Sequence, residues 1–157
     1  MSQCTVIIVN WNLWGLLTRF IDKLRQQVFR DFRVMVIDNA SSQQAPAELG
    51  ERYPEVQFIA NAENVGFAAA NNQGILSPGG TKYIALLSPD AFPESNWLQQ
   101  LMEAAWKYLD YAAFSSRQLM DQDIAVLDGD GDVFNISGLI WRDGHGRSVA
   151  GRSSAPK

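Results

Sequence analysis

The chain reads as an α/β protein whose mostly parallel sheet carries helices on both faces, and three observations predict this. Short apolar runs rich in β-branched residues, such as Thr5 to Val9 and Phe32 to Ile37, lack the in-out alternation of a sheet with one wet face, so they belong to strands buried on both sides. Segments with three- and four-residue apolar spacing separate these runs, an alternation that builds parallel sheets with right-handed crossovers. Polar clusters stand at or just beyond the ends of the apolar runs, where open parallel sheets place their ligands.

Thr5 to Val9 is the first strand. Leu13, Leu16, Leu17, Phe20, Ile21, Leu24 and Val28 then mark the stripe of a helix packed on a sheet. Phe32 to Ile37 repeats the strand signature, and Asp38 to Ser42 supplies turn residues and a cap for a short helix over Pro46 to Arg52. Val56 to Ala60 is a third strand, Ala68 to Leu76 a third helix ended by Ser77-Pro78-Gly79-Gly80, and Tyr83 to Leu87 a fourth strand. Pro93 opens a further helix with Leu98, Leu101, Met102, Ala105 and Leu109 on one face, and Tyr111 to Ser116 reads as another strand. Beyond Asp121 the periodicity weakens. Ile124 to Leu127 and Val133 to Ile140 read as short strands around the turn Asp128-Gly129-Asp130-Gly131-Asp132, and Arg142 to Lys157 as loop.

A length of 157 residues suits one core, so the expectation is a single domain over 1–150 with a flexible tail over 151–157. A hydrophobic content of 46% with 19% charged residues is that of an ordinary globular protein. The net charge of -4, without any Lys/Arg run, argues against nucleic acid or an anionic membrane as partner. Met1 to Thr5 lacks a basic leader, and no stretch approaches the ~20 apolar residues of a membrane span. The cytoplasm is the expected location, with peripheral attachment at the inner face of the membrane left open. Cys4, the single cysteine, excludes an intrachain disulfide and reads as a small buried residue.

Two carboxylates stand at strand ends. Asp38 can accept a hydrogen bond from a pyrimidine N3–H, or can simply shape the turn with Ser41. Asp90, in Ser88-Pro89-Asp90, can offer oxygen to Mg²⁺ or Mn²⁺ across a diphosphate, or can be an ordinary turn residue ahead of a helix. Asn64, Gly66, Asn71 and Asn72 surround the start of the third helix, where free N–H groups and amides can receive phosphate or ribose oxygens. Capping is the stronger reading for Asn64 and binding for the Asn71-Asn72 pair. Asp121-Gln122-Asp123 follows no strong strand and reads as a solvated turn. The run from Asp128 to Asp132 mimics a calcium loop but has Val133 and Leu139 where that loop needs Gly and Glu. Asn135-Ile136-Ser137 matches a glycosylation acceptor, and His145 has no second histidine as a metal partner.

Val9-Asn10-Trp11-Asn12, Asp38-Asn39-Ala40-Ser41, Asn64-Val65-Gly66-Phe67-Ala68 with Asn71-Asn72-Gln73-Gly74, and Pro89-Asp90, in this order, resemble family 2 glycosyltransferases of the A-type, Rossmann-like fold. The likeness runs over about Thr5 to Arg147 and is nearest to the bacterial rhamnosyltransferase-like branch, one subgroup of which also shares Ser137 to Trp141 and Gly144 to Arg147. It implies a dTDP- or UDP-activated sugar donor, Mg²⁺ or Mn²⁺, and inverting transfer to the hydroxyl of a glycan or lipid-linked acceptor in polysaccharide or surface-glycan assembly. On it, Asn10, Trp11, Asn12, Asp38, Asn39, Asn64, Gly66, Asn71, Asn72, Ser88 and Asp90 form the donor site. Trp11 lies near the base, Asp38 binds the pyrimidine and Asp90 carries the metal. Ser88 replaces the first acidic position of the family's Asp-x-Asp motif.

Family members continue with a segment that supplies the acceptor pocket and an acidic general base, and no acid between Asp121 and Asp143 stands in a matching context. The expectation is therefore a truncated chain that holds the donor half, with its catalytic base unassigned and apolar surface around Phe114, Phe134 or Trp141 left to self-association. A non-catalytic nucleotide-binding or interaction module is the alternative. A flavodoxin-like receiver would need acids where Asn10 and Asn12 stand.

Overall fold

A computed structural model describes residues 2–77 and 79–152, and the chain divides into two compact units, Met1–Gln100 and Leu101–Lys157. One domain was expected over 1–150; the division arises because the short sheets of the second unit pair only within themselves. From residue 153 the expected tail lies outside the described residues, as does Pro78 of the expected helix terminator.

In the first unit, β1 (Cys4–Asn10), β2 (Phe32–Asp38), β3 (Val56–Ala60) and β4 (Tyr83–Leu86) form one sheet in the order β3-β2-β1-β4, with every pair parallel. β1 is buried at all its positions, as a strand flanked on both edges and covered on both faces must be. Ile7, Val9, Met35 and Ile37 point to one face and pack with Ala70 of α3 (Phe67–Ile75). That helix sits close to the sheet because Gly74 offers no side chain: a Cβ there would lie 2.9 Å from Ile7 Cδ1 and Cγ2. By strand alternation Val6, Ile8, Val34 and Val36 occupy the other face, and they are equally buried. α1 (Trp14–Leu24) turns Trp14, Leu17, Phe20, Ile21 and Leu24 inward.

Several boundaries differ from the sequence reading. α1 stops at Leu24, where the N–H groups of Gln26 and Gln27 bond back three residues and tighten the last turn, so Val28 lies beyond the helix and is exposed. α2 is a single turn, Leu49–Arg52, with no side-chain cap, which rules out the cap expected from Asp38 to Ser42. α4 (Trp97–Lys107) begins four residues after Pro93. Fully buried Gln27 sets that start, its Nε2 donating to the Glu94 carbonyl (2.7 Å) and its Oε1 accepting from the Leu98 N–H (3.0 Å).

In the second unit, Tyr111 to Ser116 is not a strand. Its aromatics contact one another instead, Tyr111 lying 6.2 Å from Tyr108 and 6.0 Å from Phe114 between ring centroids. β5 (Gln118–Met120) and β6 (Asp123–Gly129) form an antiparallel pair across a turn at Asp121-Gln122, and β7 (Asp132–Phe134) pairs with β8 (Ile140–Arg142). The strands read on either side of Asp128–Asp132 therefore do not pair with each other. Val133 to Ile140 folds back on itself, with Gly138 at φ 83° and the Asn135 N–H donating to the Leu139 carbonyl. Two of the three aspartates of the intervening run are spent on cations: Asp130 accepts from Arg117 and Arg152, and Asp128 from Arg142. The expected loop after Arg142 is pinned to β6 by Leu127 N–H to the Arg147 carbonyl and Gly146 N–H to the Leu127 carbonyl. His145 Nδ1 lies 2.8 Å from the Asp128 carbonyl. Phe134 and Trp141 are exposed and Phe114 is half-buried. Among the described residues no helix is long and apolar enough to cross a membrane.

Candidate functional site

The strand order reverses at β1: the chain proceeds to β2 and β3 on one side, then crosses to β4 on the other. In an open parallel sheet such a reversal opens a crevice outside the carboxyl ends of the two diverging strands. Here the segments that leave those ends are Trp11-Asn12 after β1 and Leu87 to Asp90 after β4. Trp11 is 56% exposed, so its indole stands at the surface directly after β1 rather than in the core, suited to a flat ring.

After β4, the Leu87 N–H still bonds to the Ile7 carbonyl, and the Ala91 N–H closes a turn on the Ser88 carbonyl at 3.1 Å. Pro89 is buried, and Ser88 and Asp90 are exposed, so the proline's fixed φ holds the aspartate at the turn's outer side. A divalent cation fits this donor set only as a shared ligand. One exposed carboxylate with a hydroxyl two residues earlier cannot enclose Mg²⁺ or Mn²⁺, whereas diphosphate oxygens and water would complete its six oxygens. Among the described residues no group of three His, Cys, Asp or Glu side chains is arranged to hold a metal alone.

The loop after β2 is tied to the end of β1. Asn10 and Asp38 are register partners, and Asn10 Nδ2 donates to Asp38 Oδ1 (3.0 Å) and Ser41 Oγ (3.3 Å). Ser41 Oγ donates in turn to Asp38 Oδ1, while its N–H approaches Oδ2 at 3.3 Å. Asn12 ties its own loop to the one after β2: its Oδ1 accepts from the Ser42 N–H (2.8 Å) and hydroxyl and from the Gln43 N–H. Both loops pass through left-handed backbone at non-glycine residues, Asn12 at φ 58° and Ala40 at φ 60°. Such positions persist only where the surroundings fix them, as this net of bonds does.

A second knot centres on buried Asn39. Its Oδ1 accepts from Asn61 Nδ2 (3.1 Å) and the Val65 N–H (3.1 Å), and its Nδ2 donates to Asn64 Oδ1 (2.8 Å). Asn64 Oδ1 also receives the Gly66 N–H at 2.9 Å, so it shapes the approach to α3, whose N-cap is Gly66 at φ 83° without a side-chain cap. Asn71 is buried and its Nδ2 bonds back to the Phe67 carbonyl (2.9 Å), whereas Asn72 is exposed. The structure thus brings Asn10, Asp38, Asn39 and Asn64 into two adjoining nets, with Trp11, Asn72, Ser88 and Asp90 carrying exposed side chains. Ser41 and Asn61 are the participants sequence reasoning missed. Ser41 was read as shaping the turn with Asp38, and what the sequence did not show is its reach to Asn10 and the Asn12 N–H. Cys4 is buried, which pushes its thiol up to about 11 and leaves it a poor nucleophile.

The comparisons with known proteins agree with this fold. "Glycosyltransferase GlyA" of Streptococcus pneumoniae serotype 4 is 23% identical over 110 residues, 68% of this chain and 16% of that protein. S. aureus TarS 1-349 in complex with UDP superposes with a TM-score of 0.60 at 18% identity over 78% of this chain and 40% of that one. A mannosyltransferase, PcManGT from Pyrobaculum calidifontis, in complex with GDP-Man and Mn²⁺, gives 0.58 at 21% identity, covering 75% and 35% respectively. The chain thus spans well under half the length of these relatives, and the fold is that of the nucleotide-sugar transferases. The family model for glycosyl transferase family 2 matches residues 5–128, most of the chain, and the protein belongs to that family.

Proposed function

We propose that this chain binds a nucleoside-diphosphate sugar, dTDP- or UDP-linked, for inverting transfer of the sugar to a glycan or lipid-linked acceptor hydroxyl. The observation that carries the reading is the strand-order reversal at β1, with an exposed Trp11 after β1, the carboxylate of Asp38 after β2 and that of Asp90 after β4. Trp11 stacks on the base, Asp38 accepts the imide N–H, and the Ser88-Pro89-Asp90 turn faces the diphosphate. Asp90 and Ser88 would hold Mg²⁺ or Mn²⁺, which would offset the charge of the departing diphosphate. In the transfer the acceptor oxygen bonds to the anomeric carbon, the bond to the diphosphate oxygen breaks, and the hydroxyl proton passes to a base. No residue of this chain is assigned as that base, so the proposal rests on the donor. The family likeness to the rhamnosyltransferase-like branch supports a bacterial glycan as product and the cytoplasmic side, where nucleotide sugars are found.

Calorimetric titration of UDP and dTDP, each with and without Mn²⁺, into the native chain, Asp38→Ala and Asp90→Ala tests the assignment. Saturable binding that needs Mn²⁺ and Asp90 and weakens in Asp38→Ala is the expected result. Absence of binding by either nucleotide would refute the donor reading and favour a non-catalytic interaction module.

A further inference from the structure

We infer that Asn10 and Ser41 are positioning residues for the nucleobase, acting through Asp38 by fixing one carboxylate oxygen and leaving the other for the imide N–H. The inference rests on the reading of Asp38 as the base-recognising group and adds what makes that group selective.

The net is closed on one side of the carboxylate. Asp38 Oδ1 receives both Asn10 Nδ2 (3.0 Å) and the Ser41 hydroxyl proton. The hydroxyl spends its single proton there, and its two lone pairs accept from Asn10 Nδ2 (3.3 Å) and the Asn12 N–H (2.8 Å). Oδ2 has one long contact, the Ser41 N–H at 3.3 Å, and Asp38 is half-buried. The acceptor capacity that remains therefore lies on Oδ2.

The amide of Asn10 has only one tenable orientation, since rotating it would turn Oδ1 onto the Asp38 carboxylate. In this orientation both Nδ2 protons are used, while Oδ1 is buried without a partner among the described residues. A buried amide that leaves its acceptor unsatisfied is a poor way to fill space. It is explained by its donor end, the part that holds Asp38. Glutamine reaches too far for a register partner, aspartate would repel, and an apolar residue would free the carboxylate to rotate.

A chemical double-mutant cycle separates positioning from general support. UDP and dTDP and their N3-methyl counterparts, which lack the imide proton, are titrated in the presence of Mn²⁺ into the native chain, Asn10→Ala and Ser41→Ala. The native chain should prefer each parent nucleotide by about 10-fold or more, the scale of a charge-assisted hydrogen bond. Both variants should lose that preference by weakening the parent and leaving the N3-methyl ligand within about two-fold, a selective loss that coupling between two groups produces. Ser41→Ala, altered at a half-buried loop position, keeps the test open if Asn10→Ala fails to fold. Equal weakening of both ligands would make the two residues mere scaffold and overturn the inference while leaving Asp38 as reader. Native binding without discrimination against the N3-methyl ligand would overturn it by removing Asp38 from base recognition. No binding of any of the four would fell the donor reading itself.

Discussion

Gly74→Ala places two effects in opposition, and the structure decides between them. Alanine in a helix interior is favoured over glycine by about 1 kcal/mol, so a glycine kept for no reason should be stabilised by the change. At this site, however, the added Cβ would meet Ile7 Cδ1 and Cγ2 at 2.9 Å and Ile37 Cδ1 at 3.2 Å. Ile7 Cδ1 can swing aside, but Cγ2 moves only with χ1, and both isoleucines are fully buried in the central strands. Overpacking of this kind costs about 1–3 kcal/mol. The rigid methyl points to the upper part of that range, which leaves a net loss of about 1–2 kcal/mol. Urea unfolding followed by circular dichroism measures it, and heat unfolding should show a Tm lower by about 2–4 °C per kcal/mol. Ala69→Gly, at an exposed position of the same helix, isolates the propensity effect and should cost about 1 kcal/mol. Ile7→Val should cost less in the Gly74→Ala background than alone, because it removes one of the clashing atoms. A Gly74→Ala protein more stable than the native one would refute the close approach of α3 to the sheet.

Ala40 at φ 60° carries a left-handed penalty of about 1–2 kcal/mol that glycine would relieve, against about 0.4–1 kcal/mol of added unfolded-chain entropy. Ala40→Gly should therefore be neutral or slightly stabilising in urea unfolding and Ala40→Val clearly destabilising; the reverse order would contradict the turn. Gln27→Ala strips the Glu94 carbonyl and Leu98 N–H of their buried partner and should cost about 1–3 kcal/mol in the same assay, with a change near zero arguing against its role at the start of α4. The Arg25 guanidinium, 2.6 Å from Glu55, holds that carboxyl below its ordinary value. A depressed folded-state value stabilises above the unfolded carboxyl range, about pH 4.3, and the contribution is lost as pH falls through the folded value. Glu55→Gln should accordingly lower stability at neutral pH and converge with the native chain in acid, and a penalty that persists there would show that packing, not charge, is lost.

The legible part of the fold is the part whose signal is local. A strand buried on both faces is largely apolar, so β1 and β2 stand out within a residue or two, and β3, an edge strand with Gln57 and Ala60 exposed, is marked by its short apolar run between turns. α4 was misplaced because its start is set by Gln27, a buried residue 71 positions before Leu98, and no spacing rule contains such a contact. The second unit resisted for a related reason: its strands of three to seven residues pair with register shifts in β5-β6. Alternating aspartates and glycines there read as a turn between short strands, and two of those aspartates are held by arginines from elsewhere in the unit. At the site, strand-end positions announced Asp38 and Asp90, while the task of each asparagine depended on partners in other loops.

Those partners divide the polar residues around the crevice into two kinds. An amide whose bonds are already made within the chain can serve a ligand only by giving one up, at about the strength of the bond it loses. Asn39 is committed in this way at both ends of its amide, whereas Asn12 and Asn64 are committed at their carbonyl oxygens, to the backbone of 42–43 and of 66, and Asn71 at its Nδ2, to its own helix. They hold loops that would otherwise have to be ordered when a ligand arrives, and fixing them in advance removes that cost from binding. The donor contacts proposed above, Trp11, one oxygen of Asp38 and the Ser88-Asp90 turn, are carried at the ends of three adjacent strands. Adjacent parallel strands lie about 4.8 Å apart, so β2 to β4 across β1 is a span of roughly 10 Å, comparable to the distance from the Watson–Crick edge of a pyrimidine to its diphosphate. An asparagine-rich rim with few charges is thus the consequence of using amides to build a rigid frame, and on the proposed function the two carboxylates would meet opposite ends of one nucleotide.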